Sequence, residues 1–177
     1  MALTFVLVGA GTPALAQPYG GRITLYSDID FTETTSSDSG PGILTVYAVH
    51  EDVPDAVACW FKVVGQAGFT GTWVGETVHV SGHFADTRTG IHLVYVTCQP
   101  LPLHLVTITY VVNGTSANCS ALVAVAVEGP DSEIRVNGCD GFGRYAEGSV
   151  FCINPDSSCL PVPVEATTWG KIKALYR

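Results

Sequence analysis

The chain has 177 residues, of which 47% are hydrophobic and 14% are charged, against about 25% charged residues in a typical soluble domain. Low charge with abundant Val, Thr, Gly and Pro is typical of all-β domains, because branched side chains suit a pleated sheet, and it disfavours a helical bundle. The net charge of −8 opposes the positive field that nucleic-acid binding requires, so nucleic acid is excluded as an expected partner.

The first sixteen residues, 1–16, have the features of a signal peptide. A short apolar run, Leu3 to Ala10, precedes Ala14-Leu15-Ala16, which places small residues where a signal peptidase reads them. The alternative is a buried first strand, which the glycines and proline of this segment oppose. No other stretch approaches the roughly 18 to 20 apolar residues that span a bilayer. We therefore expect a protein that is secreted or held at the cell surface, with the periplasm as an alternative.

Nine short runs with strand composition follow, separated by turn residues such as Asn113-Gly114, Gly129-Pro130-Asp131 and Asn137-Gly138. The run Ile43 to His50 is apolar on both faces, which indicates a central strand. The predicted strands cover 22–26, 43–50, 56–64, 73–80, 91–97, 103–112, 121–127, 134–136 and 149–153. The pattern predicts one β-sandwich over residues 17–160, immunoglobulin-like or jelly-roll-like, with a barrel as the alternative.

Six cysteines indicate an oxidising compartment and three disulfides. Zinc fingers and ribbons need pairs of cysteines with two to four residues between them, and no pair is that close among Cys59, Cys98, Cys119, Cys139, Cys152 and Cys159.

Strand order suggests how the cysteines pair. The runs on either side of 129–131 resemble two arms of a hairpin, which would place Cys119 opposite Cys139 at a suitable distance for a bridge. Cys152 and Cys159 bracket a turn-rich loop that a local disulfide would close. The remaining pair is Cys59 with Cys98, which we expect to join the two sheets.

That last pair is similar to the immunoglobulin signature of Cys, Trp, Tyr and Cys, with Trp73 and Tyr95 in the intermediate positions. The spacing departs from that signature in two ways. Tyr95 is one residue too far from Cys98, and the separation of Cys59 and Cys98 is shorter than in immunoglobulin domains. The resemblance supports a bridge between sheets and implies no descent.

The histidines do not form a catalytic or metal motif. His79 and His83 are four residues apart, which on a strand separates them by about 13 Å. His92 and His104 have the character of half-exposed sheet residues, and His50 with Glu51 and Asp52 ends a strand as polar punctuation. Sequence motifs of hydrolases, zinc proteases and phosphate loops are absent. We therefore expect no enzyme and no cofactor, while a Ser/His/Asp triad that assembles only in space stays an alternative.

Two further features of the sequence have binding chemistry. Asp28 and Asp30 are weak candidates for Ca²⁺, because a carboxylate loop supplies hard oxygen ligands, but the loop lacks the EF-hand pattern and we expect no metal there. Trp60, Phe61 and Trp73 would form a sugar-stacking platform if exposed. Adjacent strand positions point to opposite faces, so one of Trp60 and Phe61 must point inward, and core packing is the favoured interpretation.

Residues 161–177 differ from the rest of the chain. A proline-rich connector leads to Thr168, a suitable N-cap, and to a predicted short helix with one apolar face and a cationic end. The helix either closes the sandwich or serves as an attachment or sorting tail. We expect the tail to interact through Trp169, Lys171, Ile172, Lys173, Leu175, Tyr176 and Arg177.

The tail and three short phrases resemble a group of secreted bacterial proteins without an assigned activity. The phrases are Gly42-Ile43-Leu44-Thr45-Val46-Tyr47, Val49-His50 and Ile153-Asn154-Pro155. That group shares a Cys-containing β-domain and a Thr-Trp-Gly-x-Ile/Val-Lys-x-Leu-Tyr ending. The resemblance implies bacterial export.

Two functional hypotheses follow. The first is a non-enzymatic extracellular structural or adhesive module that binds a protein, an extracellular or cell-surface polymer, or other copies of itself, with attachment or self-assembly through the tail. The alternative is a secreted carbohydrate-binding module or hydrolase. Trp60 beside an exposed groove, or His79 or His83 beside a carboxylate in a pocket, would favour the alternative.

Overall fold

A computed structural model describes residues 19–52, 55–128, 132–157 and 159. In these ranges every regular element is a β-strand, and no helix has the length and apolar character needed to cross a membrane. The strands are β1 (Tyr19–Tyr26), β2 (Thr35–Ser36), β3 (Gly42–Glu51), β4 (Asp55–Gly65), β5 (Gly71–Val78), β6 (Gly82–Phe84), β7 (Ile91–Pro100), β8 (Leu103–Val112), β9 (Ser120–Val125), β10 (Ile134–Asn137), β11 (Gly143–Gly148) and β12 (Val150–Ile153). The predicted signal peptide and C-terminal helix lie outside the described residues and stay predictions.

The strands build a sandwich of two layers, as predicted. The first layer has the order β5-β8-β3-β1-β11, with β3 paired on both sides as expected for a central strand. In the second layer β4 is central. One edge of β4 pairs with β7, which pairs in turn with β6. The other edge of β4 pairs with β10 and with β9. β9 continues to β12 and β2. β10 also pairs with β11 and so joins the two layers.

The core between the layers consists of alternate strand residues from both. Burial of this apolar surface is the main favourable term in folding, at about 25 cal/mol per Å² removed from water. The side chains with almost no exposed area include Ile23, Leu25, Val46, Phe61, Leu93, Leu105, Ile108, Leu122, Ile134 and Phe151.

All nine predicted strands are present, and three further strands were not predicted. β2 has two residues and β6 has three, so neither contains a readable alternation. β11 begins and ends with glycine, and only Ala146 of its six residues is buried. A strand with so little buried surface lacks the pattern on which sequence-based prediction depends.

The predicted hairpin around 129–131 is wrong. β9 pairs antiparallel with the C-terminal half of β4, where Lys62 faces Val125, and β10 pairs antiparallel with the N-terminal half, where Trp60 faces Arg135. The chain therefore runs along the same edge of β4 twice in succession, and β9 and β10 are not partners. The hairpin of this region is β10–β11, so the predicted turn at Asn137-Gly138 is correct.

The three predicted disulfides are wrong in number and in pairing. The described residues contain Cys98–Cys139 and Cys119–Cys159, with Cα separations of 5.5 and 5.1 Å, while Cys59 and Cys152 are free. Cys119 does not meet Cys139 because β9, which follows Cys119, and β10, which precedes Cys139, are not adjacent.

The other two pairings fail for reasons of direction and register. Cys59 is fully buried and faces Leu93 across the β4–β7 ladder, whereas Cys98 is exposed near the end of β7. Cys152 lies opposite Ala121 on β9. The backbone N–H of Cys119 donates to the carbonyl of Asn154, and this brings Cys119 to the loop that carries Cys159.

Candidate binding surface

An apolar surface lies on the outer face of the second layer. Strand alternation on β7 directs Ile91, Leu93 and Tyr95 into the core, so His92, Val94 and Val96 point outward. Phe84 on β6 faces His92, and Trp60 on β4 faces His92 from the other side. We call Phe84, Trp60, His92, Val94 and Val96 the outer-face patch. Phe84 and Val96 are each 70% exposed and Val94 is 38% exposed.

The backbone of β7 changes direction within this patch. Val96 has a φ of 64°, which is unusual for a β-branched residue. The register of β7 against β4 shifts at the same level, between Ala56 and Ala58, which marks a β-bulge. Strained backbone of this kind costs about 1–3 kcal/mol and is concentrated at functional sites. Here it holds an apolar side chain in solvent.

Trp60 and Phe61 point to opposite faces, as predicted. Phe61 is fully buried in the core, whereas Trp60 is half-buried on the outer face. The rings of Trp60 and His92 are nearly perpendicular, with centroids 4.4 Å apart. Burial lowers the pKa of His92, partly offset by Glu128. The outer-face patch therefore contains a compact aromatic pair beside its aliphatic side chains.

Trp60 and His92 also line a groove of about 610 Å³ that continues to Arg135, Asn137 and Tyr145. The cations along it are paired: Arg135 lies 3.5 Å from Glu128 and Arg144 lies 2.6 Å from Asp140.

Trp73 does not belong to this surface. It lies on β5 in the other layer, packs against the core, and has the guanidinium of Arg88 3.9 Å from its ring centroid. The three predicted aromatic residues therefore form no common platform.

The predicted Ca²⁺ candidates do not converge on an ion site among the described residues. The Asp28 carboxylate accepts hydrogen bonds from the backbone N–H groups of Thr32 and Glu33 and from the Thr32 hydroxyl. Desolvation alone would raise the pKa of Asp28, but these hydrogen bonds outweigh it and lower that pKa. Asp28 closes its own loop, and Asp30 lies exposed at the loop tip.

This loop places an aromatic residue on the first layer. Phe31, with a φ of 57°, lies over the outer face, with its ring centroid 6.4 Å from Tyr47 and 5.3 Å from His104. The Asp28 carboxylate thus holds together the loop that places Phe31 beside Tyr47 and His104.

Two clusters with metal-ligand chemistry contain the disulfides. Asp55 lies beside Cys98 and Cys139, and Asp156 lies beside Cys119 and Cys159. Their sulfur atoms are bonded to each other and are therefore not available as thiolate ligands.

His50 is a buried residue that sequence reasoning misjudged as strand-end punctuation. Its Nε2 donates to the carbonyl of Gly20 at 2.8 Å, and its Nδ1 lies 3.1 Å from the Tyr95 hydroxyl. A usable signal was present, because Leu44, Val46, Ala48 and His50 are in phase along β3 and all point inward.

His79 and His83 do not lie on one strand, so the separation expected along a strand does not apply to them. His79 follows β5 and His83 lies on β6, and neither lines a groove described here. His79 instead stacks on His104 with centroids 4.0 Å apart, a contact that the sequence did not reveal.

No protein-family model matches the chain, and no curated protein matches it. The solved structures that are similar to it include two with cohesin components. One is the cohesin module of a family 33 glycoside hydrolase from Clostridium perfringens ATCC13124, with a TM-score of 0.52 and 12% identity, covering 77% of this chain and 98% of that chain. The other belongs to a variant CaDoc0917–CaCohA2 complex at pH 5.5, with a TM-score of 0.53 and 13% identity, covering 76% and 99%. The chain therefore has a sandwich fold similar to that of cohesin modules.

Proposed function

We propose that this chain is a non-enzymatic extracellular module that holds a protein partner on its outer-face patch. The observation that carries the proposal is the exposure of Phe84, Val94 and Val96 on one sheet face beside the Trp60–His92 pair. Contiguous apolar surface marks interaction sites on soluble proteins. Aromatic residues at the centre of such surfaces dominate binding energy.

The fold and the disulfides support this assignment. One of the similar structures was determined as a complex of two named components, and a sandwich of this kind presents a rigid sheet face to a partner. Disulfides form and persist in oxidising compartments outside the cytoplasm. The predicted signal peptide and the resemblance to secreted bacterial proteins favour the same location.

Carbohydrate binding is the second candidate, because Trp60 lines an exposed groove. Two observations make it weaker than protein binding. The Trp60 ring already packs against His92, and the arginines along the groove are held in ion pairs. The hydrolase hypothesis has less support, since His79 neighbours His104 and Thr107 rather than a carboxylate.

A site-specific photo-crosslinker tests the proposal. The reactive residue replaces Val96 in the full chain, and the matched control replaces Ile43, which is 73% exposed on the other layer. After irradiation with exported proteins of the source organism, we expect a discrete crosslinked protein from position 96 and none from position 43.

The captured partner is then purified and titrated calorimetrically. We expect Val96→Asp to weaken binding by at least about tenfold, as for a central interface residue, and Ile43→Asp to leave the affinity unchanged. Equal effects of the two variants would overturn the assignment of the surface. Retention by an immobilised polysaccharide that Val96→Asp abolishes would favour the carbohydrate candidate.

The tail is a separate part of the proposal. We assign attachment or self-association to Trp169, Ile172, Leu175 and Tyr176, with cations at 171, 173 and 177, because an isolated helix of this length is unstable in water and needs a surface. Size-exclusion chromatography with light scattering and electron microscopy should show assembly that deletion of 165–177 abolishes. A monodisperse monomer in both forms would exclude self-association.

A further inference from the structure

Two imidazoles converge on one point of the first layer, away from the outer-face patch. His79 directly follows β5 and His104 lies on the neighbouring strand β8. Their rings are stacked, with centroids 4.0 Å apart and an interplanar angle of 26°. The Nε2 atoms of both rings approach the same hydroxyl, Thr107 Oγ1, at 2.9 Å from His79 and 3.2 Å from His104.

The surrounding fold positions both rings. The backbone N–H of His79 donates to the carbonyl of Leu105 at 2.8 Å, which extends the β5–β8 pairing past the end of β5. His104 packs against Phe31 and Tyr47, with centroids 5.3 and 5.6 Å apart. An imidazole binds metal ions in its neutral form.

The hydrogen bonds around Thr107 define the proton positions. Its hydroxyl has one proton, so it donates to one Nε2 and accepts an N–H from the other. When both rings carry their proton on Nδ1, each Nε2 atom has a lone pair available close to the Thr107 hydroxyl. This change of tautomer alters no net charge.

We infer that His79 and His104 form a surface binding site for a divalent transition-metal ion of the Zn²⁺, Ni²⁺ or Cu²⁺ class, held through both Nε2 atoms. Imidazole nitrogen is a preferred ligand of these ions, whereas Ca²⁺ and Mg²⁺ require oxygen ligands. Two protein ligands leave positions open for water or for a ligand from a second molecule. The site lies on the opposite layer from the outer-face patch and does not depend on the proposed function.

Isothermal titration of the full chain with ZnCl₂ at neutral pH tests the inference. The experiment uses a Cys152→Ser background, because Cys152 is a free and partly exposed thiol. His79 is exposed, so His79→Ala should leave the fold intact, as thermal unfolding will verify. We expect one ion per chain, and a dissociation constant that rises at least about tenfold in His79→Ala and in His104→Asn.

His83→Ala is the matched control, since His83 is exposed on β6 and has no place in the site. It should change the dissociation constant less than about twofold, and CaCl₂ should give no binding heat. NMR spectra of the histidine rings provide a second measurement, in which Zn²⁺ shifts the signals of His79 and His104 only. Zinc affinity that survives either site variant, or shifts centred on His83 or His92, would overturn the inference.

Discussion

The hydroxyl of Tyr95 on β7 donates a hydrogen bond to Nδ1 of His50 on β3, at 3.1 Å, inside the core. The Nε2–H of His50 donates a hydrogen bond to the Gly20 carbonyl on β1, so Nδ1 of the neutral ring is the acceptor. One chain of polar groups therefore joins β7 of the second layer to β3 and β1 of the first.

The buried side chains of His50, Tyr95 and Cys59 are all held neutral. Burial lowers the pKa of His50, against smaller raising effects of the Gly20 hydrogen bond and Glu51. Burial raises the pKa of Cys59 to about 12 and raises the pKa of Tyr95 well above its usual value. A protonated His50 would need to lose its bond from Tyr95, because both ring nitrogens would then be donors.

Acid is therefore expected to destabilise the fold through His50. The unfolded chain binds a proton near pH 6.5, while the folded chain binds it only at lower pH. The contribution is fully present above the unfolded pKa and is lost as pH falls towards the folded pKa, by up to about 1.4 kcal/mol per pH unit. Urea unfolding between pH 8 and pH 5 measures it.

His50→Gln is the diagnostic variant, because its amide keeps a donor and an acceptor without a titrating group. Its unfolding free energy should fall less steeply below pH 6.5 than that of the parent. His92→Gln serves as control, since His92 lies on the surface and should contribute a smaller change. Parallel pH profiles of the parent and His50→Gln would contradict the assignment.

Tyr95→Phe should destabilise the protein by about 1–3 kcal/mol, because it leaves Nδ1 of His50 buried without its donor. Tyr47→Phe, on the outer face of the first layer, should lower the unfolding free energy by less than about 0.5 kcal/mol. Denaturant unfolding at pH 7.5 compares the two, and equal costs would argue against the buried hydrogen bond.

Gly148→Ala should destabilise the fold by about 3 kcal/mol or prevent folding, since added volume cannot be accommodated there. A Cβ at this position would lie 1.8 Å from the carbonyl oxygen of Ala124, where β11 and β9 approach across the layers. Gly75→Ala meets nothing within 4 Å and should change stability by no more than about 0.5 kcal/mol. Thermal unfolding of both variants checks the difference.

Thiol titration should find two free cysteines in the denatured, unreduced chain, and one rapidly reacting cysteine in the native protein. Cys152 is partly exposed and reacts, whereas Cys59 is buried with a raised pKa and therefore has little reactive thiolate. Peptide mapping should recover Cys98–Cys139 and Cys119–Cys159. A chain without free thiols would show that a third bridge forms.

Val96→Asn should raise the unfolding free energy by about 1 kcal/mol. The same substitution should lower the affinity for the partner proposed for the outer-face patch. Asparagine tolerates a positive φ better than valine, so the strain at 64° is reduced. Val74→Asn, at a comparably exposed site without positive φ, should bring no gain. Denaturant unfolding tests the first half, and the calorimetric titration tests the second.

Strand positions were predictable where one face of the strand is buried. β8 was predicted with its observed bounds, because its alternating apolar residues pack against the core. β11 was not predicted, because it is held by backbone pairing with β1 and β10 rather than by buried side chains. Strands that are held mainly by backbone hydrogen bonds have no hydrophobic signature.

The candidate sites were predictable only in part. Val94 and Val96 alternate with the buried residues of β7, so the sequence indicates apolar side chains on both faces of that strand. The contact of His79 with His104 depends on the β5–β8 register, which a local pattern does not contain. The disulfides failed for the same reason: the pairing of β9 and β10 with β4 involves residues about sixty to eighty positions apart.

The two disulfides are interleaved along the chain, in the order Cys98, Cys119, Cys139 and Cys159. Each closed loop therefore contains one end of the other. A single proteolytic cut anywhere between residues 98 and 159 leaves its two products covalently joined by at least one bridge. The half of the molecule that carries β8 to β12 can thus be nicked without shedding a fragment.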